Sequence, residues 1–299
     1  MRKRLVFVLL LAVAALAAWY VFRPLPKPPQ RRSIAVASSA AVASSPPTAS
    51  TPAPTPSVAT PTQAPSAALA TPSPSAPPLN GPKLALIIDD CGQWVSTERG
   101  FIALPIPLTL SVLPHVHATA LIAQEASAAG KGVMLHLPME TLSGLYPGPG
   151  EVTTEMTDAQ ITAQVEDDLA QVPLAAGVNN HEGSKASADS RVMRDVIAVL
   201  KAHGHLFFID SRTNAASVAQ SVAAAHGIPT ASRDVFLDNK ADVAYTEAQL
   251  RAAVEIAKRT GSAIAIGHPR PTTLAAVRAL APELQAEGVT FVLAQSLTR

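Results

Sequence analysis

From Leu84 onward the hydrophobic positions fall into short blocks, most of them entered through a glycine. Ala128-Ala129-Gly130 leads to Val133-Met134-Leu135, Ala202-His203-Gly204 to Leu206-Phe207-Phe208-Ile209, and Ala225-His226-Gly227 to Ile228-Pro229. Arg259-Thr260-Gly261 leads to Ala263-Ile264-Ala265-Ile266, and Glu287-Gly288 to the run from Val289 to Leu293. A glycine where a helix stops supplies the left-handed residue that turns the chain back into a strand. Helix starts are marked too, because Thr157-Asp158-Ala159-Gln160 and Thr246-Glu247-Ala248-Gln249 both fit a capping box. Strands and helices alternating over short joints predict a parallel sheet flanked by helices. Leu84 to Ile88, Leu108 to Val112, Ala175 to Val178 and a run near Phe236 are further candidates, and seven to eight of these blocks are expected as strands in one α/β domain. That number suits a (β/α) barrel, complete or incomplete, better than an open nucleotide-binding sheet. No G-x-G-x-x-G or Walker-type loop follows a strand, and Tyr146-Pro147-Gly148-Pro149-Gly150 reads as a rigid turn.

The head of the chain has a different pattern. Arg2-Lys3-Arg4 precede an unbroken apolar run from Leu5 to Phe22, with Trp19 and Tyr20 near its far end. About 18 residues at 1.5 Å each nearly cross a hydrocarbon core of about 30 Å. The basic cluster predicts a cytoplasmic N-terminus, so the rest of the chain is expected outside. A cleaved signal peptide is the rival reading, since Ala14 to Ala18 offer small residues for cleavage. The length of the run and the bulky Trp19-Tyr20-Val21-Phe22 favour an uncleaved anchor at 1–22. Residues 23–80 follow as a segment of Pro, Ala, Ser and Thr that holds 15 of the 27 prolines. Such a composition cannot bury enough apolar area to offset its ordering entropy, so a disordered tether is expected. The domain proper is expected over 81–299. A net charge of +1 gives no electrostatic support to a nucleic-acid partner, and a single cysteine, Cys91, excludes an intrachain disulfide.

Candidate chemistry sits where the strands end. Leu84-Ala85-Leu86-Ile87-Ile88 stops at Asp89-Asp90-Cys91-Gly92. Neighbouring strand residues point to opposite faces unless the chain turns, which Gly92 would allow. Two such aspartates can divide into a metal ligand and a proton acceptor, or be solvated carboxylates capping the next helix. His115 follows the second strand, His136 closes the third, His181 the fourth, Asp210-Ser211 the fifth, Asp238-Asn239 the sixth and His268 the seventh. In a barrel these ends meet at one face, and a mononuclear zinc site needs three protein ligands and one open position. Singly, His136, His181 and His268 are as well explained by structure. Their coincidence with Asp89-Asp90 favours a shared site. His203 and His226 complement helix dipoles at helix ends, His115 reads as structural after a Pro turn, and His117 and His205 have no pattern behind them. Cys91 reads as a small core residue. Glu166, Asp167, Asp168 and Asp195 lie on helical patterns and read as solvated faces.

On these residues the stretch from about Lys83 to Leu297 resembles the divergent polysaccharide deacetylase family. Its relatives are metal-dependent carbohydrate esterases with a deformed (β/α) barrel. The likeness is carried by Ile87-Ile88-Asp89-Asp90-Cys91-Gly92, His136-Leu137-Pro138-Met139-Glu140, Asn179-Asn180-His181-Glu182-Gly183-Ser184, Phe208-Ile209-Asp210-Ser211-Arg212-Thr213, Phe236-Leu237-Asp238 and Ile266-Gly267-His268-Pro269. The resemblance implies Asp89 as general base and Asp90 as metal ligand. His136 matches the first histidine of a motif whose second histidine, four residues on, is here Glu140. Another motif of the relatives carries an arginine and a Pro-aromatic pair where this chain has Asn179-Asn180-His181. His181 is therefore the expected third ligand, with Glu140 an alternative or an outer partner. His268 matches a general acid and Asp210 a supporting carboxylate, while Asn180, Ser184 and Ser211 are expected to support the site or meet substrate.

The implied cofactor is one divalent metal ion, with zinc the expected identity. The implied reaction removes N-acetyl groups from an envelope glycan through a metal-bound water, with Asp89 taking a proton and His268 protonating the departing amine. A catalytically silent envelope module that keeps the barrel is the alternative, supported by the lost arginine and the Glu140 position. A Ser-His-Asp esterase lacks a G-x-S-x-G elbow. The expected partners are an N-acetylated envelope polysaccharide and, through the N-terminal helix, the membrane; no protein partner is named by the sequence. The expected location is the inner membrane, single-pass, with the domain on the periplasmic side, or free in the periplasm after signal cleavage.

Overall fold

The computed structural model describes residues 81–299. The expected anchor at 1–22 and tether at 23–80 lie outside the described residues, among which no helix is long and apolar enough to cross a membrane. Lys83–Cys91 forms β1, followed by α1 (Val95–Ile102), β2 (Thr109–Val112), α2 (Thr119–Ala128), β3 (Gly132–Met139), α3 (Asp158–Gln171) and β4 (Gly177–Glu182). The second half runs α4 (Ser190–His203), β5 (Phe207–Asp210), α5 (Ala219–Ala225), β6 (Thr230–Ser232), β7 (Val235–Phe236), α6 (Val243–Thr260), β8 (Ser262–Gly267), α7 (Pro271–Ala286) and β9 (Thr290–Val292).

The strands pair in the order β6-β5-β4-β3-β2-β1-β8-β7, with β9 on the first residues of β1, and every pairing is parallel. Among the described residues no pairing joins β6 to β7, so the sheet curls into a barrel left open at that seam. The expected seven to eight strands are thus nine. The Ile228-Pro229 block leads into β6 and the run near Phe236 is β7, on opposite sides of the seam. Arg233 N donates to Asp210 O on the β5 wall, and Asp234 N donates to Ile264 O on the β8 wall. The chain thus leaves the β5 wall at Arg233 and joins the β8 wall at Asp234.

The alternation inside each strand makes two cores. Leu84, Leu86 and Ile88 of β1, with Leu110, Val112, Leu135, Leu137 and Phe208, pack under the helices. Ala85, Ile87, Met134, Phe207, Ile209, Ile264 and Ile266 form a smaller cluster on the opposite, inner face. Burial on both faces is why these strands read as continuous apolar runs.

Thr157 forms the expected capping box, its Oγ1 accepting from Gln160 N while Gln160 Oε1 accepts from Thr157 N at 2.8 Å. The second expected box does not form. Asp242 caps α6 instead, accepting from Tyr245 N at 2.7 Å, because an aspartate one turn earlier is an equally good cap and starts the helix first. Thr246 is then interior and buried, and its hydroxyl donates back to Asp242 O. Asp168 also departs from expectation: it is fully buried on α3, not solvated. The Tyr146–Gly150 turn folds over it so closely that a Cβ on Gly150 would collide with Asp168 Oδ1.

Candidate metal centre

On the inner face the two-residue period places polar residues at the carboxyl ends of the strands. Ile87 gives way to Asp89, Thr109 to Ser111, Met134 to His136, Ile209 to Ser211 and Ile266 to His268, and Asn179 is followed by His181. Asp90 has the wrong parity for this face. The β1–β2 register slips between Ile88 and Cys91, and Asp90 adopts φ 56°, which brings the second carboxylate to the same site as the first. The turn expected at Gly92 therefore begins two residues earlier. Buried Glu98 secures it: its Oε1 accepts from the backbone amides of Gly92, Gln93 and Trp94 at 2.8–3.0 Å.

Asp90, His136 and His181 converge. Asp90 Oδ1 lies 3.2 Å from His136 Nε2 and 2.9 Å from His181 Nδ1, and the two imidazole nitrogens are 3.1 Å apart. Ligands at about 2.0–2.1 Å from a tetrahedral zinc stand roughly 3.3 Å apart, close to these edges. Asp90 Oδ1 is buried and accepts no hydrogen bond. Two imidazoles and a carboxylate around one orphaned oxygen are a donor set that fits a divalent cation. Burial works to raise the Asp90 carboxyl, but the adjoining His136 and His181 win and hold it well below the usual carboxylate range.

The residues around the triangle differ in electrostatic state. Burial pushes the Asp89 carboxyl up, against the pull of the His136 and His268 charges and the Asn179 hydrogen bond. Its Oδ2 is 3.6 Å from His136 Nε2. Two neighbouring aspartates are thus driven apart, one firmly ionised and one inclined to take a proton. His268 stands across the cavity with Nε2 3.7 Å from Asp90 Oδ2 and Nδ1 2.9 Å from Asp238 Oδ1. Burial lowers its pKa, yet the Asp238 hydrogen bond and the Asp90, Asp238 and Asp89 charges leave it raised. These groups line one cavity of about 400 Å³, a size that admits a small ligand.

The structure brings Asp89, Asp90, His136, His181 and His268 to this cavity, with Asn180 and Ser211 on its wall. Asn180 works as a brace, its Oδ1 accepting from Ser211 N and its Nδ2 donating to Glu182 O. Glu140 is not at the triangle. It is held outside by Lys185 at 2.7 Å and by the amide and hydroxyl of Thr154, because the chain leaves β3 after Met139. Ser184 is also outside the cavity lining, its Oγ accepting from Leu142 N. Asp210 does not support an imidazole: its carboxylate accepts from Arg212 N and Ser217 Oγ and so shapes the loop after β5.

Two contributors, Asn179 and Arg233, escaped the strand-end reading, and a third, Asp238, was placed at a strand end without a role. Asn179 joins His136 to Asp89, Asp238 takes the supporting role expected of Asp210, and Arg233 lays its guanidinium 5.0 Å over the Phe236 ring on the cavity wall. Asn179 and Asp238 share the inward parity of the histidines, and that parity is the signal by which a sequence could find them.

A family model described as Divergent polysaccharide deacetylase matches residues 86–298. An uncharacterized protein of Haemophilus influenzae is 36% identical over 197 residues, which is 66% of this chain and 70% of that protein. The uncharacterized protein YibQ of Escherichia coli is 34% identical over 220 residues, 74% of this chain and 68% of its own length. Among solved structures, an uncharacterized protein from Agrobacterium tumefaciens C58 superimposes with a TM-score of 0.70 at 23% identity, covering 73% of this chain and 89% of its own. At that identity the likeness speaks to the fold alone.

Proposed function

The chain belongs to the divergent polysaccharide deacetylase family, and from that premise we propose that it removes N-acetyl groups from an envelope glycan with the help of one divalent cation. The observation that carries the reading is the triangle of Asp90 Oδ1, His136 Nε2 and His181 Nδ1, with edges of 2.9–3.2 Å, beside a carboxylate and an imidazole that it does not use. A divalent cation held there, zinc by the chemistry of the donors, supplies Lewis acidity toward an acyl oxygen and a water of lowered pKa.

The protein's own groups then divide the proton traffic. Asp89 is the base: Asn179 Nδ2 donates to its Oδ1 at 2.9 Å, which leaves Oδ2 to accept a proton. Its raised pKa suits that task. His268 is the acid, because Asp238 holds Nδ1 and Nε2 faces the cavity, where it can protonate a departing amine. Such transfers are typically worth about 10²–10⁴-fold each. An extracytoplasmic site of action is part of the proposal, supported by the basic and apolar pattern of residues 1–22.

The test is metal analysis of the purified chain together with acetate release from N-acetylated oligosaccharides and glycan strands. Stoichiometric metal and acetate, both lost in Asp90→Ala, are expected. Stoichiometric metal without acetate from any envelope glycan would leave a binding module in place of an enzyme.

A further inference from the structure

The proposed reaction gives no task to Arg212, an exposed residue on the wall of the same cavity. Among the described residues its guanidinium enters no hydrogen bond or ion pair. Its backbone nevertheless sits at φ 48°, a left-handed state that is strained for a non-glycine residue. Glycine would make the same turn without strain. The loop is braced to hold this residue: Arg212 N donates to Asp210 Oδ1 at 2.8 Å, and Arg233 donates from Nη2 to Arg212 O and from Nε to Ser211 O. Arg233 is thereby committed to backbone carbonyls and the Phe236 ring, and Arg212 is left as the unspent charge.

The charge balance of the cavity points the same way. Three carboxylates (Asp89, Asp90 and Glu182), two guanidiniums and His268, protonated as the acid of the proposed reaction, line it, so a dication at the triangle leaves an excess of two positive charges. We propose that the glycan is an acidic one, and that Arg212 takes a carboxylate carried by the N-acetylated sugar or by its neighbour in the strand. A planar guanidinium engages a carboxylate through two parallel hydrogen bonds, giving direction as well as charge. Arg233 is a positioning residue that fixes the loop. This rests on the deacetylase reading for the choice of a glycan, and the test separates the two.

Calorimetric binding to the zinc-loaded Asp89→Asn chain would compare three tetrasaccharides: neutral chitotetraose, a strand bearing lactyl ether carboxylates on alternate sugars, and a strand bearing uronic acids. At least one acidic strand is expected to bind 10-fold or more tighter than chitotetraose. Arg212→Ala should abolish that preference without weakening chitotetraose, and Arg212→Lys should keep part of it. Which acidic strand wins identifies the source of the carboxylate. Equal binding of neutral and acidic strands, an equal loss for both in Arg212→Ala, or no binding of any strand would overturn the proposal. Acetate release by the unsubstituted chain distinguishes the failures. Acetate from chitotetraose without acidic preference sinks this inference alone, whereas Arg212-dependent binding without acetate sinks the deacetylase reading alone.

Discussion

Asn179 Oδ1 lies 2.8 Å from His136 Nδ1, and the other end of the same amide donates to Asp89 Oδ1 at 2.9 Å. Oδ1 also accepts from Ser111 Oγ, and Nδ2 also donates to Ser211 Oγ at 3.1 Å. Every hydrogen-bonding capacity of the amide is therefore used, inside a fully buried residue. The arrangement fixes a tautomer. With its Nδ1 proton given to Asn179, His136 presents the Nε2 lone pair to the triangle.

If that is the role of Asn179, replacing it should weaken metal binding from outside the ligand set. Asn179→Ala is expected to lower zinc affinity by roughly 10–100-fold, the usual effect of removing an outer partner. It should also destabilise the fold by about 1–3 kcal/mol, since Asp89 Oδ1 loses a buried donor. Competition titration with a chromogenic chelator reads the first and urea denaturation the second. Unchanged zinc affinity in a folded Asn179→Ala protein would show that His136 does not depend on this amide.

The ligand set makes a contrasting prediction for two residues that sequence spacing treats as rivals. His181→Ala should lose the metal. Glu140→Gln should keep it in full, because Glu140 is bonded to Lys185 and Thr154 and its ion pair is partly exposed. Such a pair contributes about 0–1 kcal/mol, so the Glu140 variant should also fold normally. Metal analysis after dialysis decides between them, and the reverse pattern would require a different third ligand.

How much of this was legible in the chain follows from the length scale of each signal. Alternation and helix-stop glycines act locally, so the order of strands and helices could be read directly, as could the strand-end placement of His136, His181 and His268. The β6–β7 seam could not, because Arg233 and Asp234 bond to partners on different walls that only the curled sheet brings near. Asp90 illustrates the same limit at the site, since its parity is wrong and only φ 56° corrects it. The exchange of Asp210 for Asp238 as the imidazole partner is a long-range fact as well: both aspartates follow strands, and tertiary packing alone puts Asp238 beside His268. Asp168 was misread because its helix pattern is amphipathic by sequence, while the turn ending at Gly150 covers it from outside.

Asp238 also sets a pH dependence. It accepts from His268 Nδ1 at 2.9 Å and from His268 N and Thr273 Oγ1 through its other oxygen. Burial opposes ionisation of Asp238, but the His268 hydrogen bond and charge keep its pKa lowered. The reciprocal effect is a raised His268 pKa, so the imidazolium persists to higher pH than in a free histidine. An acid catalyst is lost as pH rises through its pKa, which places His268 on the alkaline limb. Asp238→Asn should move that limb to lower pH and lower kcat at alkaline pH more than at neutral pH. An NMR titration of the metal-free chain should show the same downward shift of His268. A limb that stays in place would remove His268 from the acid role.

The remaining prediction concerns stability away from the metal. Burial pushes the Asp168 carboxyl up to about 8, with the Gln164 hydrogen bond opposing and the Asp167 charge adding to it. Its Oδ1 is 3.0 Å from His115 Nε2 and 3.1 Å from Gln164 Nε2, while Oδ2 is buried with no partner. A carboxyl raised in the folded state holds its proton there after the unfolded chain has released it. Between the unfolded value near 4 and about 8 the folded state therefore binds more protons, and stability falls as pH rises, levelling above about 8. His115 and Asp167 lie beside it, so the comparison must be with a variant that leaves both in place. Asp168→Asn removes the titrating group and keeps the shape, at the cost of an amide donor where Oδ2 has no partner. It should be no more stable than the natural chain at pH 5 and should lose less stability between pH 5 and 8, so that the two curves converge or cross. Urea midpoints across that range in the presence of a chelator measure this directly, and parallel curves would mean that Asp168 is ionised in the fold throughout.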